Sequence, residues 1–226
     1  MPQLPPSAIR IAVDAAVFTY AARTLRLLLV QTSDGRRALP GGFVRDGEGL
    51  LAAVERELDE EAGITVDYLE QLRTYGDDVA RDPRAQVITV AYWAVVKSTN
   101  VQSATGSDAR GAEWCPLTDL PGLAYDHDII AADALTRLKA KLTYQPIGFD
   151  LLPDVFGFSE LEQLYETILE RPIDRRNFRR KVLGFGVLTE TGETRSEGAG
   201  RPATLYRFNE ARYRELERDG FYFEIK

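Results

Sequence analysis

Three glutamates, Glu57, Glu60 and Glu61, close together in the run RELDEEAGI, are the residues of this chain most able to do chemistry. An α-helix advances about 100° per residue, so their carboxylates fall within an arc of roughly 100° on one face. Carboxylates so close repel one another and destabilise the helix that carries them unless a cation sits among them. Hard oxygen donors suit Mg²⁺ or Mn²⁺, ions that bind a few carboxylates together with substrate phosphates. Glu57, Glu60 and Glu61 are therefore the candidate metal ligands. Gly41-Gly42 lies upstream, where backbone freedom lets a loop bring its carbonyls near the metal, and both glycines are candidate ligand-binding positions. Leu51, Val54 and Leu58 form an adjacent apolar stripe that is expected to hold the helix on a core. Gly63 is the expected stop just past it.

The spacing over residues 39–64 is Gly42, five residues, Glu48, seven residues, Arg56-Glu57-Leu58, one residue, Glu60-Glu61, one residue, then Gly63-Ile64. This stretch resembles the Nudix box, the signature of proteins that hydrolyse or bind a nucleoside diphosphate linked to another group. Every defining position is present. The resemblance implies a Nudix α/β/α sandwich and a catalytic set of Glu57, Arg56 and Glu61. In that set Glu57 acts as base or ligand, Glu60 and Glu61 as ligands, and Arg56 orients the glutamates. Where the base comes from a later loop instead, Glu113 is the candidate.

The elements that must position these groups can be read in order. Residues 9–20 (IRIAVDAAVFTY) and 25–31 read as neighbouring strands, with a turn signal at Ser33-Asp34-Gly35. Residues 66–75 are a further expected strand, and 86–97 (QVITVAYWAVVK) is the most strand-like segment of the chain. A polar, loop-like stretch covers 98–112. Residues 126–144 carry a helical stripe of Ile129, Ile130, Ala134, Leu135, Leu138 and Leu142 without an interior glycine or proline. The class is α+β. His127, the only histidine, cannot build a zinc site alone and is expected to have a capping or surface role.

A chain of 226 residues exceeds the commonest domain size, and 44% apolar residues can bury a real core. Two domains are expected, 1–144 for ligand and 145–226 behind it, joined near Gln145-Pro146-Ile147-Gly148. No apolar run is long enough to cross a bilayer, and the start MPQLPPSAIR lacks the layout of a signal peptide. No membrane is expected as a partner. One cysteine, Cys115, leaves no internal disulfide, fits a reducing cytoplasm and reads as a buried structural thiol. The net charge of −7 argues against nucleic acid, but charge is unevenly spread. Between residues 171 and 181 six basic residues face one acid, Asp174.

In the second half, residues 159–170 (SELEQLYETILE) open with Ser159 as the expected N-cap. Leu161, Leu164, Tyr165, Ile168 and Leu169 follow at core-facing helical spacing. Asp174 is the expected cap of the next helix, with Phe178 and Val182 inside and Arg176, Arg179 and Arg180 outside. Arginines in a first turn work against the helix dipole, a cost that an external polyanion such as DNA relieves. Residues 187–190 and 204–208 read as two strands around a glycine-rich loop, 191–203, carrying Arg195 and Arg201. Helix, turn, basic helix and a two-stranded flap outline a small winged helix-turn-helix domain. A basic helix in a protein-binding or dimerisation module fits the same residues.

The two halves together, from residue 11 to 208, resemble the Nudix-related transcriptional regulators of the NrtR family. Asn177-Phe178-Arg179-Arg180-Lys181 and Gly200-Arg201-Pro202 carry that likeness outside the Nudix box. It implies a bacterial homodimeric repressor of NAD biosynthesis or salvage genes, bound to a double-stranded DNA operator and released by ADP-ribose or a related NAD-derived effector. The DNA-binding set would be Arg175, Arg176, Asn177, Arg179, Arg180, Lys181, Arg195 and Arg201. Arg81-Asp82-Pro83-Arg84 also looks like a family feature, and Arg81 and Arg84 would pair with ligand phosphate. Many members carry eroded boxes, whereas Glu48, Arg56, Glu57, Glu60 and Glu61 are intact here. An active hydrolase, an ADP-ribose pyrophosphatase with a fused winged-helix domain, therefore stands as the alternative.

Overall fold

The computed structural model of the protein describes residues 9–103, 111–196 and 202–225. The first strands are β1 (Arg10–Ala21), β2 (Thr24–Gln31), β3 (Arg37–Ala38) and β4 (Gly41–Phe43), followed by helix α1 (Leu50–Ala62). Next come β5 (Tyr68–Tyr75), β6 (Val87–Val96), β7 (Glu113–Pro116) and α2 (His127–Tyr144). The chain continues through β8 (Phe156–Gly157), α3 (Phe158–Leu169), α4 (Arg175–Gly184), β9 (Leu188–Arg195), β10 (Ala203–Phe208) and α5 (Glu210–Arg218). It divides into two compact units. The first holds residues 1–19, 26–96 and 100–135; the second holds 20–25, 97–99 and 136–226. Among the described residues no helix is long and apolar enough to cross a membrane.

In the first unit the strands run in the order β3-β2-β1-β6-β5, with β4 on β1 and β7 on β2. The central pair, β1 and β6, is parallel from Arg10 opposite Val87 to Thr19 opposite Val96. A strand covered on both faces must be apolar almost throughout, which is why both segments read as near-continuous hydrophobic runs. Alternate residues Val13, Ala15 and Val17 of β1 and Val90, Tyr92 and Ala94 of β6 share a core with α1. From the helix Ala53, Val54, Leu58 and Ala62 enter that core. Leu51, expected in this stripe, is 54% exposed instead. The buried arc begins at Ala53, so Leu51 falls on the solvent side of the helix. Gly63 ends α1 in the left-handed conformation, φ +62°, and returns its N–H to the Asp59 carbonyl at 2.9 Å.

Three further readings of the first half change. Ile129 is 55% exposed, whereas Ile130, Ala134, Leu138 and Leu142 form the buried side of α2. Ser98–Ser103 is a 3₁₀ turn at the start of the expected loop. Cys115 is half-buried rather than buried, and burial pushes its thiol up.

The second unit is built on aromatic packing. Phe149 stacks on Phe208 with ring centres 4.4 Å apart, and Tyr165 meets Phe178 at 4.9 Å. Strand β10 lies between β8 and β9, and β9 and β10 form the expected flap. β9 runs on to Arg195, so the loop between the strands is shorter than 191–203. Helix α3 begins at Phe158, and its cap is Gly157, not Ser159. The Glu160 carboxylate accepts the Gly157 N–H at 2.7 Å, which lets the buried Phe158 enter the helix as its first residue. Helix α5 was not foreseen. Asn209 caps it by accepting the Arg212 N–H at 2.9 Å.

Candidate functional site

Strand β4 sets Gly41 opposite Asp14 and Gly42 opposite Val13 on β1, bringing the glycine pair beneath α1. The fit leaves no room for side chains. A Cβ on Gly42 would stand 2.3 Å from Glu57 Oε1, and one on Gly41 would stand 2.3 Å from the Val13 carbonyl oxygen and 2.5 Å from Asp14 Oδ1. The Gly41 N–H donates to the Glu61 carboxylate at 2.9 Å. Glu57 and Glu61 are thus both brought against the glycine backbone.

Glu60 is not. It is exposed and held by Arg45 at 3.0 Å and by Arg56 at 3.3 Å. Arg56 also reaches Glu48 and Glu57, each at 2.6 Å. Part of the positive charge expected among these carboxylates is therefore supplied by arginine, in the orienting role assigned to Arg56. Its hydrogen bond draws the Glu48 carboxyl down to about 2. Burial pushes Glu61 up to about 7 against the pull of the Gly41 N–H, and the charges of Glu57, Asp14 and Glu60 add to the rise. Among the described residues no three acidic, histidine or cysteine side chains already converge as a closed metal site. A half-buried carboxylate burdened by neighbouring acids, beside a backbone too close for any Cβ, nonetheless fits a divalent cation, with Glu57 and Glu61 as its holders.

These groups border a cavity of about 210 Å³ that Asp14, Gly41, Gly42, Glu61, Arg81, Arg84, Tyr125 and His127 help to line. Both expected ligand-binding arginines are there, but each is already engaged. Arg81 is buried and grips Asp126 with two bonds, 2.8 and 2.5 Å, with Asp14 3.7 Å away. Burial works against the Arg81 charge, but Asp126, Asp14 and Asp82 outweigh it and its pKa is raised. Arg84 donates from Nη2 to Asp82 at 2.7 Å, and that pairing draws the Asp82 carboxyl down.

His127 takes neither role expected of it. It is buried in the cavity wall, where Nδ1 accepts the Leu39 N–H at 2.9 Å and Nε2 faces Asp14 Oδ1 at 3.5 Å. Since Nδ1 is an acceptor, the neutral ring carries its proton on Nε2. The residue anchors the chain just ahead of the glycine pair. Glu113 pairs with Arg37 at 2.9 Å on β7 and does not line the cavity. Asp14, Phe43, Asp82, Tyr125 and Asp126 were missed. Of these only Asp14 left a signal, a lone acid within the apolar run of β1.

In the second unit Asp174 caps α4 by accepting the Asn177 N–H at 3.1 Å. Phe178 and Val182 are buried, and each contributes about 1.5–3 kcal/mol toward holding the helix on its core. Arg175, Arg176, Asn177, Arg179 and Arg180 are exposed, and Lys181 is intermediate. Their local ties differ. Arg175 pairs with Glu166 at 3.0 Å, while Arg179 lies 4.6 Å over the Phe158 ring with its Nη2 3.4 Å from the Tyr206 hydroxyl. Arg180 donates to Asn177, and Lys181 lies 3.7 Å from Glu224. Arg176 has no hydrogen bond or ion pair among the described residues. Arg195 pairs with Glu160 at 2.9 Å. Arg201 lies outside the described residues.

A glutamate-bearing helix over a glycine cleft, and a basic helix beside a β-flap, define a Nudix domain joined in one chain to a winged helix domain. The family models agree, with the NUDIX domain matching residues 9–138 and the NrtR DNA-binding winged helix domain residues 148–208. The chain belongs to the NrtR family. It is 36% identical over 204 residues, 87% of this chain and 80% of the relative, to the ADPR responsive transcriptional repressor NtrR of Acinetobacter baylyi. The crystal structure of Shewanella oneidensis NrtR complexed with a 27mer DNA matches with a TM-score of 0.82 and 34% identity, covering 96% of this chain and 99% of that one. The NUDIX domain of the same Shewanella protein complexed with ADP ribose matches with a TM-score of 0.52 and 36% identity, covering 60% of this chain and 94% of that one.

Proposed function

We propose that this chain is an ADP-ribose-responsive repressor that binds a double-stranded DNA operator of NAD biosynthesis or salvage genes. It works as a cytoplasmic homodimer, with residues 1–144 sensing ligand and 145–226 reading DNA. The observation that carries the reading is the outer side of α4, where the arginines stand exposed while Phe178 and Val182 anchor the helix. A helix so arranged fits the major groove, and two of them fit successive grooves of a palindrome about 34 Å apart. The bound relatives support both ligands.

At the cleft, Gly41 and Gly42 let the backbone approach the diphosphate of ADP-ribose. Glu57 and Glu61 are the residues to hold Mg²⁺ or Mn²⁺, which when bound would neutralise diphosphate charge. Arg56 keeps Glu57 in place. Ligand releases DNA only if it binds the DNA-incompatible arrangement better, so the coupling acts on the placement of the two α4 helices. A gel shift with the protein's own upstream region tests this. Retarded DNA should be freed by ADP-ribose, and Arg176→Ala/Arg179→Ala should weaken binding and flatten its salt dependence. Full retention at saturating ADP-ribose removes the inducer role, and unchanged affinity in the double variant removes the DNA-reading role.

The intact Glu57–Gly42 seat favours a second reading, hydrolysis of ADP-ribose to AMP and ribose 5-phosphate. Mg²⁺-dependent AMP release that falls in Glu61→Gln would support it. Equal residual rates in both proteins leave a site that only senses.

A further inference from the structure

We propose that Phe43, Arg84 and Tyr125 form the slot that takes the nucleobase of the cleft's ligand by stacking. The proposal rests on the reading of the cleft as an ADP-ribose site. Rings and guanidinium groups alternate at this end of the cavity. Arg10 lies 3.4 Å from the Phe43 ring centre, Arg84 lies 5.2 Å from Phe43 and 5.2 Å from Tyr125, and Arg36 lies 5.3 Å from Tyr125. Phe43, Arg84 and Tyr125 all line the cavity, whose other end is the acidic, backbone-rich corner of Gly41 and Glu61.

Arg84 suits a wall better than an arm reaching for phosphate. Its Nε and Nη2 both bond Asp82, at 2.7 to 3.1 Å, and the Asp82 side chain is only 4% exposed. Swinging the guanidinium away would leave a buried carboxylate unpaired, which is costly. Held flat in that pairing, the planar group offers its face. Tyr125 adds a second sign. Its backbone sits at φ +60°, a conformation rare for bulky side chains. Such strain persists where the surrounding structure enforces it, and it gathers at ligand clamps.

The two ends of the cavity thus differ in chemistry as the two ends of a nucleotide do. Backbone N–H groups and metal-holding carboxylates suit a diphosphate with its cation. Two rings and a pinned guanidinium suit a flat base, for which aromatic and arginine stacking needs no edge recognition.

Calorimetric titration of the full chain with ADP-ribose and Mg²⁺ tests the slot. Tyr125→Phe keeps the ring and should bind within about twofold of the unaltered protein. Tyr125→Asn removes the ring with a residue that tolerates the left-handed backbone, and should lose roughly ten- to a hundredfold in affinity. Phe43→Leu, away from the strained position, should lose affinity in the same direction. Unchanged affinity in both Tyr125→Asn and Phe43→Leu overturns the slot but leaves the cleft's ligand standing. An equal loss in Tyr125→Phe and Tyr125→Asn assigns the effect to the hydroxyl and also overturns stacking. Failure of the unaltered chain to take up ADP-ribose overturns the slot together with the reading beneath it.

Discussion

Gly42 and Glu57 fill a space that admits only one side chain, since a Cβ on the glycine would lie 2.3 Å from Glu57 Oε1. A flexible glutamate would ordinarily step aside, but Arg56 holds this one at 2.6 Å and is itself fixed by Glu48. Gly42→Ala should therefore displace the carboxylate with its arginine. The expected result is a loss of roughly 10–100-fold in metal-dependent ADP-ribose affinity, as when groups supporting a metal ligand are removed. Calorimetry in Mg²⁺ reads it. An unchanged affinity would mean that Glu57 has no part in holding the ligand.

Arg81 is the counterion for two carboxylates that cannot reach bulk water easily. Its side chain is 3% exposed, those of Asp126 and Asp14 18% and 9%. Arg81→Met keeps most of the volume and leaves both acids without a cation. Removing one partner of a buried pair costs about 3–5 kcal/mol, and a loss near the lower figure is expected because Asp126 keeps some solvent. Trp93 and Trp114 are the only tryptophans and both belong to the first unit, so their fluorescence in a urea titration follows that unit by itself. A change below about 1 kcal/mol, the scale of surface ion pairs, would show that Arg81 contributes no more than such a pair.

How much of this was readable from sequence depends on the range of each interaction. Helix α1 and its glycine stop were legible, since their cues lie within one short stretch and obey helical spacing. The central strands were legible because burial on both faces leaves few polar residues. Arg81 was singled out, yet its partner Asp126 lies forty-five residues on, and no local pattern links them. The same is true of His127 and Leu39, eighty-eight residues apart, which is why a surface role was expected for a buried acceptor. Helix α5 escaped for a different reason. None of its residues is buried, so it carries no apolar stripe, and its one local mark was the Asn209 cap.

The Glu48–Arg56 pair gives a pH dependence with a definite sign. Glu48 is ordinarily near 4.5 and is lowered to about 2 in the folded chain, chiefly by its hydrogen bond from Arg56. A carboxyl depressed by folding adds stability that is complete above its ordinary value and disappears as pH falls through the folded one. Glu48→Gln should therefore be less stable than the unaltered protein at pH 7. The gap should narrow from about pH 4.5 downward and close near pH 2, as followed by tryptophan fluorescence in urea at successive pH values. A gap independent of pH would assign the loss to packing rather than to the ion pair.

Asp174 sets two effects of opposite sign against each other on one helix. Its carboxylate accepts the Asn177 N–H at 3.1 Å and closes the first turn of α4, the turn that presents Arg175, Arg176 and Asn177. Loss of an N-cap costs about 1 kcal/mol, so Asp174→Ala should fray that turn and blur the arrangement of groups aimed at base edges. The same change deletes a negative charge beside the DNA phosphates, which on electrostatics alone strengthens binding to any duplex. Affinity for the operator should consequently fall, by about fivefold if the full cap energy is lost, while affinity for random duplex holds or rises. Fluorescence anisotropy with both duplexes at one salt concentration separates the terms. Parallel gains on both duplexes would mean that the cap has no bearing on recognition and that Asp174 acts only as a repelling charge.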